Sequence, residues 1–309
     1  MNSEIIRNLK ILQEFEKLNK QPFKAKAYDK VINAIEIYEP KIKSAIDLKN
    51  IKGIGKGIEK KLLQLLEKGS IDEVEAILKD DKYILSNKLN GIYGIGPAKI
   101  NELMESITSF DQLYLDENKK LLNNKQQIGL KYYEDLATRI PYTEGKKHYK
   151  IIQKAITQID KDVTFEMVGS YRRKNKDMGD IDILIKDKGS FTLKTLISNL
   201  QSNNYVIETL ASGKNKFMGI CKINDLPARR IDILIADPSY YYFALLYFTG
   251  SYNFNIYMRR IALQKGLSLS EYGFKDNASK QMVDTSDVIN SEEDIFKYLE
   301  IPYTQPNKR

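Results

Sequence analysis

Cysteine and histidine are almost absent from this chain, which carries one of each, Cys221 and His148, among its 309 residues. A single cysteine excludes an internal disulfide, and one cysteine with one histidine cannot assemble a zinc cluster. The residues that remain for chemistry are therefore carboxylates, lysines and hydroxyls.

Long apolar runs are also lacking. No stretch of the sequence approaches the roughly 20 apolar residues that a membrane span requires. The opening segment, MNSEIIRNLKILQEFEKL, is typical of a charged amphipathic helix and has no signal-peptide core. We therefore expect no membrane partner and no secretion, and a protein that works inside the cell, in a nucleus, a cytoplasm or a viral replication compartment. Hydrophobic residues, at 42%, suffice to form real cores.

Positive charge is in excess, with a formal net charge of +8. An anionic partner fits this excess, but a solvated lysine-rich surface, or the codon bias of an AT-rich genome, explains it as well. The charge alone does not decide between these interpretations.

The hydrophobic pattern changes near residue 140. Before it, apolar residues recur at helical spacing, as at Ile5, Leu9 and Leu12. After Pro141 one more helix is expected over about 144–159, and then strand-like runs follow, among them DIDILI and RRIDILIA. The pattern predicts a multidomain α+β protein, with an all-α N-terminal part followed by a mixed β-sheet with helices.

A Gly-Ile-Gly motif occurs twice in the helical part. Gly53 and Gly55 open GIGKGIEKKLLQLL, and Gly94 and Gly96 open GIGPAKINELM, each between helical segments. Such a helix-hairpin-helix turn presents backbone N–H groups and a helix N-terminus to one phosphate without reading bases. An ordinary glycine-rich connection is the alternative, but two copies in a basic chain favour binding of a nucleic-acid backbone.

Lys61 lies at the edge of the apolar stripe of the helix after the first hairpin. Partial burial lowers the pKa of a lysine, and like charges at Lys56, Lys60 and Lys68 act in the same direction, so we expect a fraction of neutral amine able to attack an aldehyde such as an opened abasic sugar. On spacing alone, a lysine that neutralises phosphate remains the preferred interpretation.

Two similar strand segments carry aspartates. Asp180 and Asp182 are two residues apart in DIDILI, so their side chains face the same side of the strand. Asp232 lies in RRIDILI, at the same position of the repeated Ile-Asp-Ile-Leu-Ile sequence as Asp182. If the strands are neighbours, three carboxylates converge, and their repulsion is relieved by divalent cations with oxygen ligands, of which Mg²⁺ is the most suitable. Upstream, Ser170 offers a hydroxyl to a triphosphate, and the basic run Arg172, Arg173 and Lys174 offers cations. Solvent-facing aspartates at strand ends are the alternative.

Several segments match the motifs of one protein family and occur in the same order as in that family. They are GIGKGIEKK, YGIGPAKI, IGLKYYEDLATRIP, GSYRRKNKDMGDIDILI, KFMGIC, RRIDILI, YFTGSYNFNIYMR and SEEDIFKYLEIPY. They resemble the X family of DNA polymerases over essentially the whole chain, and most of all its compact repair enzymes of the DNA polymerase beta type, with no BRCT segment expected. The resemblance implies a helical 5′-deoxyribose-phosphate lyase-like domain with the first hairpin (1–80), a helical DNA-binding subdomain with the second (81–139), a nucleotidyltransferase palm (140–238) and a small α/β, nucleotide-selecting C-terminal subdomain (239–309).

The resemblance also implies residue roles. Asp180, Asp182 and Asp232 would hold the metal, Asp232 would accept the primer hydroxyl proton beside Arg230, and Lys61 would form a Schiff base. The residues implied in nucleotide binding are Ser170, Arg173, Gly179, Arg139, Tyr247, Phe248, Gly250, Ser251 and Asn255, with a cis bond between Gly250 and Ser251. Those implied in DNA binding are Phe23, Lys24, Tyr28, Lys49, Gly53, Gly55, Gly94, Gly96 and Arg259. Tyr252 and Ile256 depart from the family's charged base-stacking pair.

The implied activity is template-directed gap filling in base excision repair, by transfer from a dNTP to the primer 3′-hydroxyl with two Mg²⁺ or Mn²⁺ ions, together with the lyase. The implied partners are gapped or nicked DNA with a 5′-phosphate, a DNA ligase and other repair factors, with a monovalent cation at the hairpin turns and a monomeric protein. Two alternatives remain, a template-independent terminal transferase and a catalytically inactive DNA-end-binding scaffold. The short turn KINDLPA and the YFTGS segment count against the first, and the three aspartates against the second.

Overall fold

The computed structural model of the chain describes residues 2–38, 40–187, 189 and 191–309. It divides into two compact units, Met1–Gly129 and Leu130–Arg309. The predicted α+β class is confirmed, with a helical N-terminal part and a mixed sheet after it. The division into four ranges, with boundaries near residues 80, 139 and 238, stays a prediction.

The first unit is built from helices joined by short turns. Their bounds are α1 Asn2–Leu18, α2 Pro22–Glu36, α3 Ala45–Lys49, α4 Lys56–Lys68, α5 Asp72–Ile77, α6 Asp81–Asn90, α7 Pro97–Ser106, α8 Asp116–Lys119 and α9 Asn124–Lys131, with a 3-10 helix at Phe110–Tyr114. Ile5 and Leu9 of α1 and Val31 and Ile35 of α2 are all at most 1% exposed. Apolar residues three and four apart thus give α1 and α2 one buried face each, as the sequence predicts.

The two Gly-Ile-Gly motifs form the turns before α4 and α7. Gly53 and Gly94 have φ of +95° and +83°, a region that a residue with a Cβ adopts only at a cost. Gly55 and Gly96 directly precede the two helices, and a Cβ placed on either would meet no atom within 4 Å. The backbone at the start of each helix is therefore open to a close approach.

The second unit contains the remaining helices and the strands. Their bounds are α10 Tyr133–Ala137, β1 Ile140–Pro141, α11 Tyr142–Ile159, β2 Phe165–Met167, α12 Gly169–Arg172, β3 Asp177–Met178, β4 Ile181–Lys186, α13 Leu193–Ser202, β5 Val206–Ser212, β6 Lys216–Cys221, β7 Arg229–Ala236, α14 Tyr241–Thr249, α15 Tyr252–Gln264, β8 Leu267–Ser270, β9 Gly273–Asp276 and α16 Glu292–Tyr298, with a 3-10 helix at Pro306–Lys308. The helix expected over about 144–159 is α11.

A five-stranded sheet in the order β2-β4-β7-β6-β5 forms the centre of this unit. Strands β4 and β7 run parallel, and the other neighbours are antiparallel. Ile181, Ile183 and Ile185 of β4 pack with α11 and α13 on one face, while Leu184 packs with α14 on the other. By alternation, Asp182 shares the face of Leu184.

The C-terminal elements have a core of their own. Phe243 of α14, Met258 of α15, Phe274 of β9 and Phe296 of α16 are at most 2% exposed and belong to one cluster. Among the described helices, none combines the length and the apolar content that a membrane crossing requires.

Candidate active site

Three aspartates meet at one end of the parallel strand pair. The register of β4 and β7 places Asp182 opposite Asp232, and Asp180 lies just before β4 on the same side of the chain. Each carboxylate offers an oxygen, and these oxygens lie within 4.8 Å of one another. The convergence expected from the repeated Ile-Asp-Ile-Leu-Ile text is therefore present.

The electrostatics of these aspartates favour the binding of cations. Burial, and then the negative charge of Asp232, raise the pKa of Asp182 to about 7, although Arg173 opposes the shift. Burial also raises the pKa of Asp232 against the opposing effect of Arg230 and Lys216. Asp232 Oδ1 is buried and has no hydrogen-bond partner. A cation would satisfy that oxygen and would relieve the repulsion.

Gly169 gives Asp182 the space that its carboxylate occupies. Its φ is +55°, and a Cβ at this position would collide with Asp182 Oδ2. The backbone N–H of Val168 donates to the carbonyl of Asp182 at 2.9 Å, which ties the Gly-Ser turn to β4. The glycine of the GS motif is thus needed for the position of a candidate metal ligand.

The donor set fits a divalent cation. Three carboxylates on adjacent strands, one with an orphaned buried oxygen, supply the hard oxygen ligands of Mg²⁺ or Mn²⁺. Arg230 is the cationic neighbour: it forms an ion pair with Asp180, and its Nε lies 3.9 Å from Asp232 Oδ1. The guanidinium expected beside Asp232 thus contacts Asp180 more closely.

The residues expected to hold a triphosphate form two groups. Arg173 Nη2 donates to Ser170 Oγ at 3.0 Å, and its Nη1 donates to the Thr249 carbonyl at 2.5 Å. Gly179 and Arg139 form the second group: a Cβ placed on Gly179 would lie 3.0 Å from Arg139 Nη1, so the two residues are neighbours.

Arg139 is held in this place by Asp177, whose Oδ1 lies 2.9 Å from the arginine Nε. Arg172, which the basic run also offered to a triphosphate, is instead directed to Glu292, with Nη1 3.0 Å from both carboxylate oxygens.

The YFTGS segment connects α14 to α15. Gly250 and Ser251 are joined by a cis peptide bond, which confirms that expectation. Asn255 Nδ2 donates to the Tyr247 carbonyl at 2.8 Å, and the Arg259 guanidinium lies 5.4 Å from the centre of the Tyr247 ring. Tyr247, Asn255 and Arg259 are therefore brought together.

Phe248 follows Tyr247 and points toward the aspartates. It lines a small cavity of about 40 Å³ together with Asp182, Asp232 and Lys216. The aromatic side chain thus forms part of the apolar wall beside the candidate metal site.

A second candidate site surrounds Lys61 in the first unit. Lys61 Nζ donates to Tyr28 Oη at 2.7 Å and lies 2.6 Å from Glu73 Oε2. Lys61 and Glu73 both line a groove of about 860 Å³. The structure thus brings together Lys61 and Tyr28, two of the residues named from the sequence, and adds Glu73, which sequence reasoning did not find.

The expected direction of the Lys61 pKa shift was wrong. Burial does act to lower the pKa, but the hydrogen bonds and charges of Glu73 and Tyr28 outweigh it, and the pKa is raised above 10.5. Glu73 lies on α5, the helix after the one that carries Lys61. The side chain of an adjacent helix decides the sign, and helical spacing around Lys61 contains no information about it.

The other residues named for DNA binding are spread over the first unit. Phe23 is 89% exposed at the start of α2, Lys24 Nζ lies 3.6 Å from Glu16 Oε1, and Lys49 is an exposed residue at the end of α3. Their roles stay predictions.

A third cluster escaped the sequence reasoning. Arg309 Nη1 lies 2.6 Å from Glu292 Oε1, the carboxylate that also pairs with Arg172, and the Arg309 side chain is fully buried. Arg172 Nη1 in turn donates to Thr249 Oγ1 at 2.8 Å. The segment SEEDIFKYLEIPY, which contains Glu292, was noted in the sequence. Arg172 and Glu292 are 120 residues apart, however, and no local sequence pattern predicts that they form an ion pair.

Comparisons with known proteins agree with this arrangement. Family models match in four segments: a helix-hairpin-helix domain over residues 1–71, the fingers domain of DNA polymerase lambda over 87–137, the DNA polymerase beta palm over 139–238 and the DNA polymerase beta thumb over 244–309. Together these matches extend over almost the whole chain. The chain belongs to the X family of DNA polymerases.

Two curated relatives are DNA polymerases lambda. The protein from Rattus norvegicus is 28% identical over 327 aligned residues, which cover 100% of this chain and 56% of the relative. The protein from Arabidopsis thaliana is 27% identical over 307 residues, which cover 92% of this chain and 57% of the relative. The chain thus spans little more than half the length of these relatives.

Proposed function

We propose that this protein is a template-directed DNA polymerase that fills short gaps and transfers a nucleotide from a dNTP to the primer 3′-hydroxyl. The observation that carries the proposal is the meeting of Asp180, Asp182 and Asp232, with an orphaned buried oxygen on Asp232, beside the Ser170–Arg173 pair. A carboxylate cluster next to a hydroxyl and a guanidinium suits phosphoryl transfer.

The residues of the chain divide the work of this reaction. The Asp232 carboxylate accepts the proton of the primer hydroxyl. The hydroxyl oxygen attacks the α-phosphorus while pyrophosphate leaves. Arg173 and Ser170 bind the triphosphate, together with Arg139 beside Gly179. The chemistry supplied at the three aspartates by bound divalent cations is activation of the hydroxyl and neutralisation of charge on the pyrophosphate.

The nucleotide-selecting role belongs to the segment between α14 and α15. Asn255 and Arg259 hold Tyr247 through its carbonyl and its ring, so Tyr247 can crowd the 2′-hydroxyl of a ribonucleotide. Phe248, Gly250 and Ser251 are the other residues of this segment to which we assign nucleotide binding. The experiment that examines this role compares ribonucleotide and deoxyribonucleotide insertion by Tyr247→Ala, and unchanged discrimination would contradict it.

We also propose a 5′-deoxyribose-phosphate lyase activity centred on Lys61. The amine opens into a groove of about 860 Å³ and contacts Tyr28, which suits a sugar aldehyde carrying a phosphate. Phe23, Lys24 and Lys49 would contact the template and the 5′-phosphate, and the turns at Gly53–Gly55 and Gly94–Gly96 would hold backbone phosphates, where a monovalent cation completes the site. A DNA ligase would then seal the nick.

Primer extension on a one-nucleotide gap with a 5′-phosphate tests the polymerase. Each dNTP is offered singly, with and without Mg²⁺, to the wild type, to Asp232→Ala and to Asp225→Ala, a control that removes an exposed aspartate. We expect templated, metal-dependent addition by the wild type and the control, and a loss of at least about 100-fold in Asp232→Ala.

Two outcomes would replace this function with an alternative. DNA that is bound but never extended by the wild type would indicate an inactive end-binding scaffold. Addition without regard to the template would indicate a terminal transferase. For the lyase, borohydride trapping on an incised abasic site should require Lys61, and equal trapping by Lys61→Ala would show that another group is the nucleophile.

A further inference from the structure

Glu73 is the carboxylate that contacts the candidate nucleophile. Its Oε2 lies 2.6 Å from Lys61 Nζ, on the side of the amine that opens into the groove. The glutamate side chain is 43% exposed and that of the lysine 23%, so both atoms are accessible to a substrate. Tyr28, from α2, provides the second contact of the amine at 2.7 Å.

A lysine-dependent lyase needs a base as well as a nucleophile. The neutral amine adds to C1′ of the opened sugar, water leaves, and an iminium forms. Cleavage then requires that the C2′–H bond breaks and that its electron pair forms a C1′–C2′ enamine double bond. The enamine electrons next form a C2′–C3′ double bond while the nitrogen lone pair restores the iminium, and the C3′–O bond breaks with its electrons leaving on the DNA 5′-phosphate. Water finally hydrolyses this iminium and frees the Lys61 amine. The proton on C2′ must pass to a group near the nitrogen, because C2′ is only two bonds from Nζ.

We propose that Glu73 is this base, and that it removes the C2′ proton from the Lys61 iminium. The proposal rests on the proposed lyase function and adds a residue to it. When the ammonium with three N–H donors becomes an iminium with one, the Glu73 carboxylate loses most of its hydrogen-bonding to the nitrogen. One carboxylate oxygen is then free to face the adjacent C2′–H bond. The proton leaves C2′ for Glu73, and the phosphate leaves C3′.

Other groups around the groove are less suited to this task. Glu59, Glu67 and Asp72 also line it. Among the described residues, however, the ion-pair partner of Lys61 is Glu73, and Asp72 lies 3.9 Å from Lys68 Nζ. Lys56, Lys60 and Lys68 carry positive charge and would attract the phosphate rather than accept a proton. Tyr28 also contacts the amine, but its phenol hydroxyl carries a proton of its own, whereas an ionised carboxylate only accepts.

The same contact has an opposite effect on the first step. Before the substrate arrives, Glu73 favours the ammonium form of Lys61, which cannot attack. Replacement of the carboxylate by an amide should therefore make Schiff-base formation faster at neutral pH and elimination slower. A residue with a merely structural role would change both steps in the same direction.

The test separates the two steps in the full chain. A gapped oligonucleotide with a 5′-deoxyribose phosphate is mixed with excess protein, and samples are quenched over time either with borohydride, which measures the iminium, or with acid, which measures the released 5′-phosphate strand. The proteins are the wild type, Glu73→Gln, Glu73→Asp and Glu67→Gln, a matched change in the same groove. Thermal unfolding shows whether each variant folds.

We expect Glu73→Gln to form the borohydride-trapped iminium at least as fast as the wild type. We expect it to release the 5′-phosphate strand at least about 100-fold more slowly, so that the iminium accumulates. Glu73→Asp should recover part of the elimination rate, and Glu67→Gln should behave as the wild type. Deuterium at C2′ should slow elimination more in Glu73→Gln than in the wild type, since proton removal becomes the slow step.

Three results would overturn the inference. Elimination by Glu73→Gln at the wild-type rate would leave Glu73 with no part in proton removal. If Glu73→Gln folds but gives no borohydride-trapped iminium, Glu73 is needed for Schiff-base formation and not for removal of the C2′ proton. Parallel losses in Glu73→Gln and Glu67→Gln would indicate a general effect of charge. If the wild type itself neither traps nor eliminates, the lyase function fails, and that outcome is distinct from the other three.

Discussion

Asp182 lies directly opposite Asp232 in the parallel pair of strands β4 and β7. Two carboxylates in this relationship, both withdrawn from water, repel each other, and the folded protein stores that repulsion as unfavourable free energy. This repulsion also makes the binding of cations to these residues favourable.

The first prediction concerns this stored repulsion. We expect Asp182→Asn to raise the free energy of unfolding of the metal-free protein by up to about 4 kcal/mol at pH 7 and above, because burial and Asp232 raise the pKa of Asp182 from 3.8 to about 7 and each pKa unit corresponds to about 1.4 kcal/mol. Mg²⁺ should stabilise the wild type by preferential binding to the folded state, and should stabilise the variant much less. Denaturant unfolding with a chelator and with Mg²⁺ measures both effects, and an equal response to Mg²⁺ would exclude Asp182 as a ligand.

The second prediction concerns the glycine beside Asp182. Gly169→Ala should displace the Asp182 carboxylate, because a Cβ there collides with Oδ2, and should reduce primer extension strongly. Gly189→Ala is the matched control: its φ is also positive, at +76°, but a Cβ would meet no atom within 4 Å. Both variants carry a backbone cost of about 1–2 kcal/mol. Equal activity of the two variants would contradict the steric argument.

The third prediction concerns Glu292. Its carboxylate is shared by the guanidinium groups of Arg172 and Arg309, so Glu292→Ala removes the carboxylate that compensates two largely buried positive charges. We expect a loss of about 3–5 kcal/mol in the free energy of unfolding. Glu293→Ala, at the exposed neighbouring residue, should change it by less than about 0.5 kcal/mol.

Nucleotide binding should also weaken in Glu292→Ala, because Arg172 links Glu292 to Thr249, the residue before Gly250. The Michaelis constant for the dNTP measures this effect at a temperature where the variant is folded. A variant as stable as the wild type would show that the two arginines find other partners.

The fourth prediction concerns pH. His148 is fully buried, its Nδ1 lies 2.7 Å from Tyr205 Oη, and burial lowers its pKa to about 4, although Glu144 opposes the shift and Arg229 supports it. The unfolded chain binds a proton here near pH 6.5 and the folded chain does not. This contribution to stability is therefore present above about pH 6.5 and is lost as the pH falls toward 4.

The size of this loss is at most about 3 kcal/mol, at about 1.4 kcal/mol for each pKa unit. Unfolding free energies of the wild type and of His148→Gln, measured from pH 4 to pH 7, provide the comparison. The wild type should show the steeper pH dependence by this amount. Parallel curves would show that the pKa of His148 is the same in the folded and the unfolded chain.

Much of the candidate metal site follows from local pattern. Asp180, Asp182 and Asp232 were found because alternation in a strand fixes the face of each side chain, and because the same five-residue text occurs twice. The Gly-Ile-Gly turns were found because positive φ demands glycine. Patterns of this kind act over a few residues, so they are visible in the chain itself.

The partners of charged residues were not predictable in this way. The effect of Glu73 on the Lys61 pKa was missed, and Arg172 was assigned to a triphosphate although it pairs with Glu292. In each case the two charged residues lie on different helices, which come into contact only when the chain packs. An ion pair depends on the position of two side chain ends to within an ångström or so, and helical or strand spacing does not specify that position.

Sequence alone determined the α+β class, the helical and mixed parts, the three aspartates of the candidate metal site and the family to which the chain belongs. These features depend on hydrophobic period, on glycine and on short motifs, which are local properties. Tertiary structure alone decided that Glu73 contacts Lys61, that Arg309 is buried against Glu292 and that Asp232 keeps an oxygen without a partner. Burial and charge pairing act through space, so they exist only once distant segments have packed.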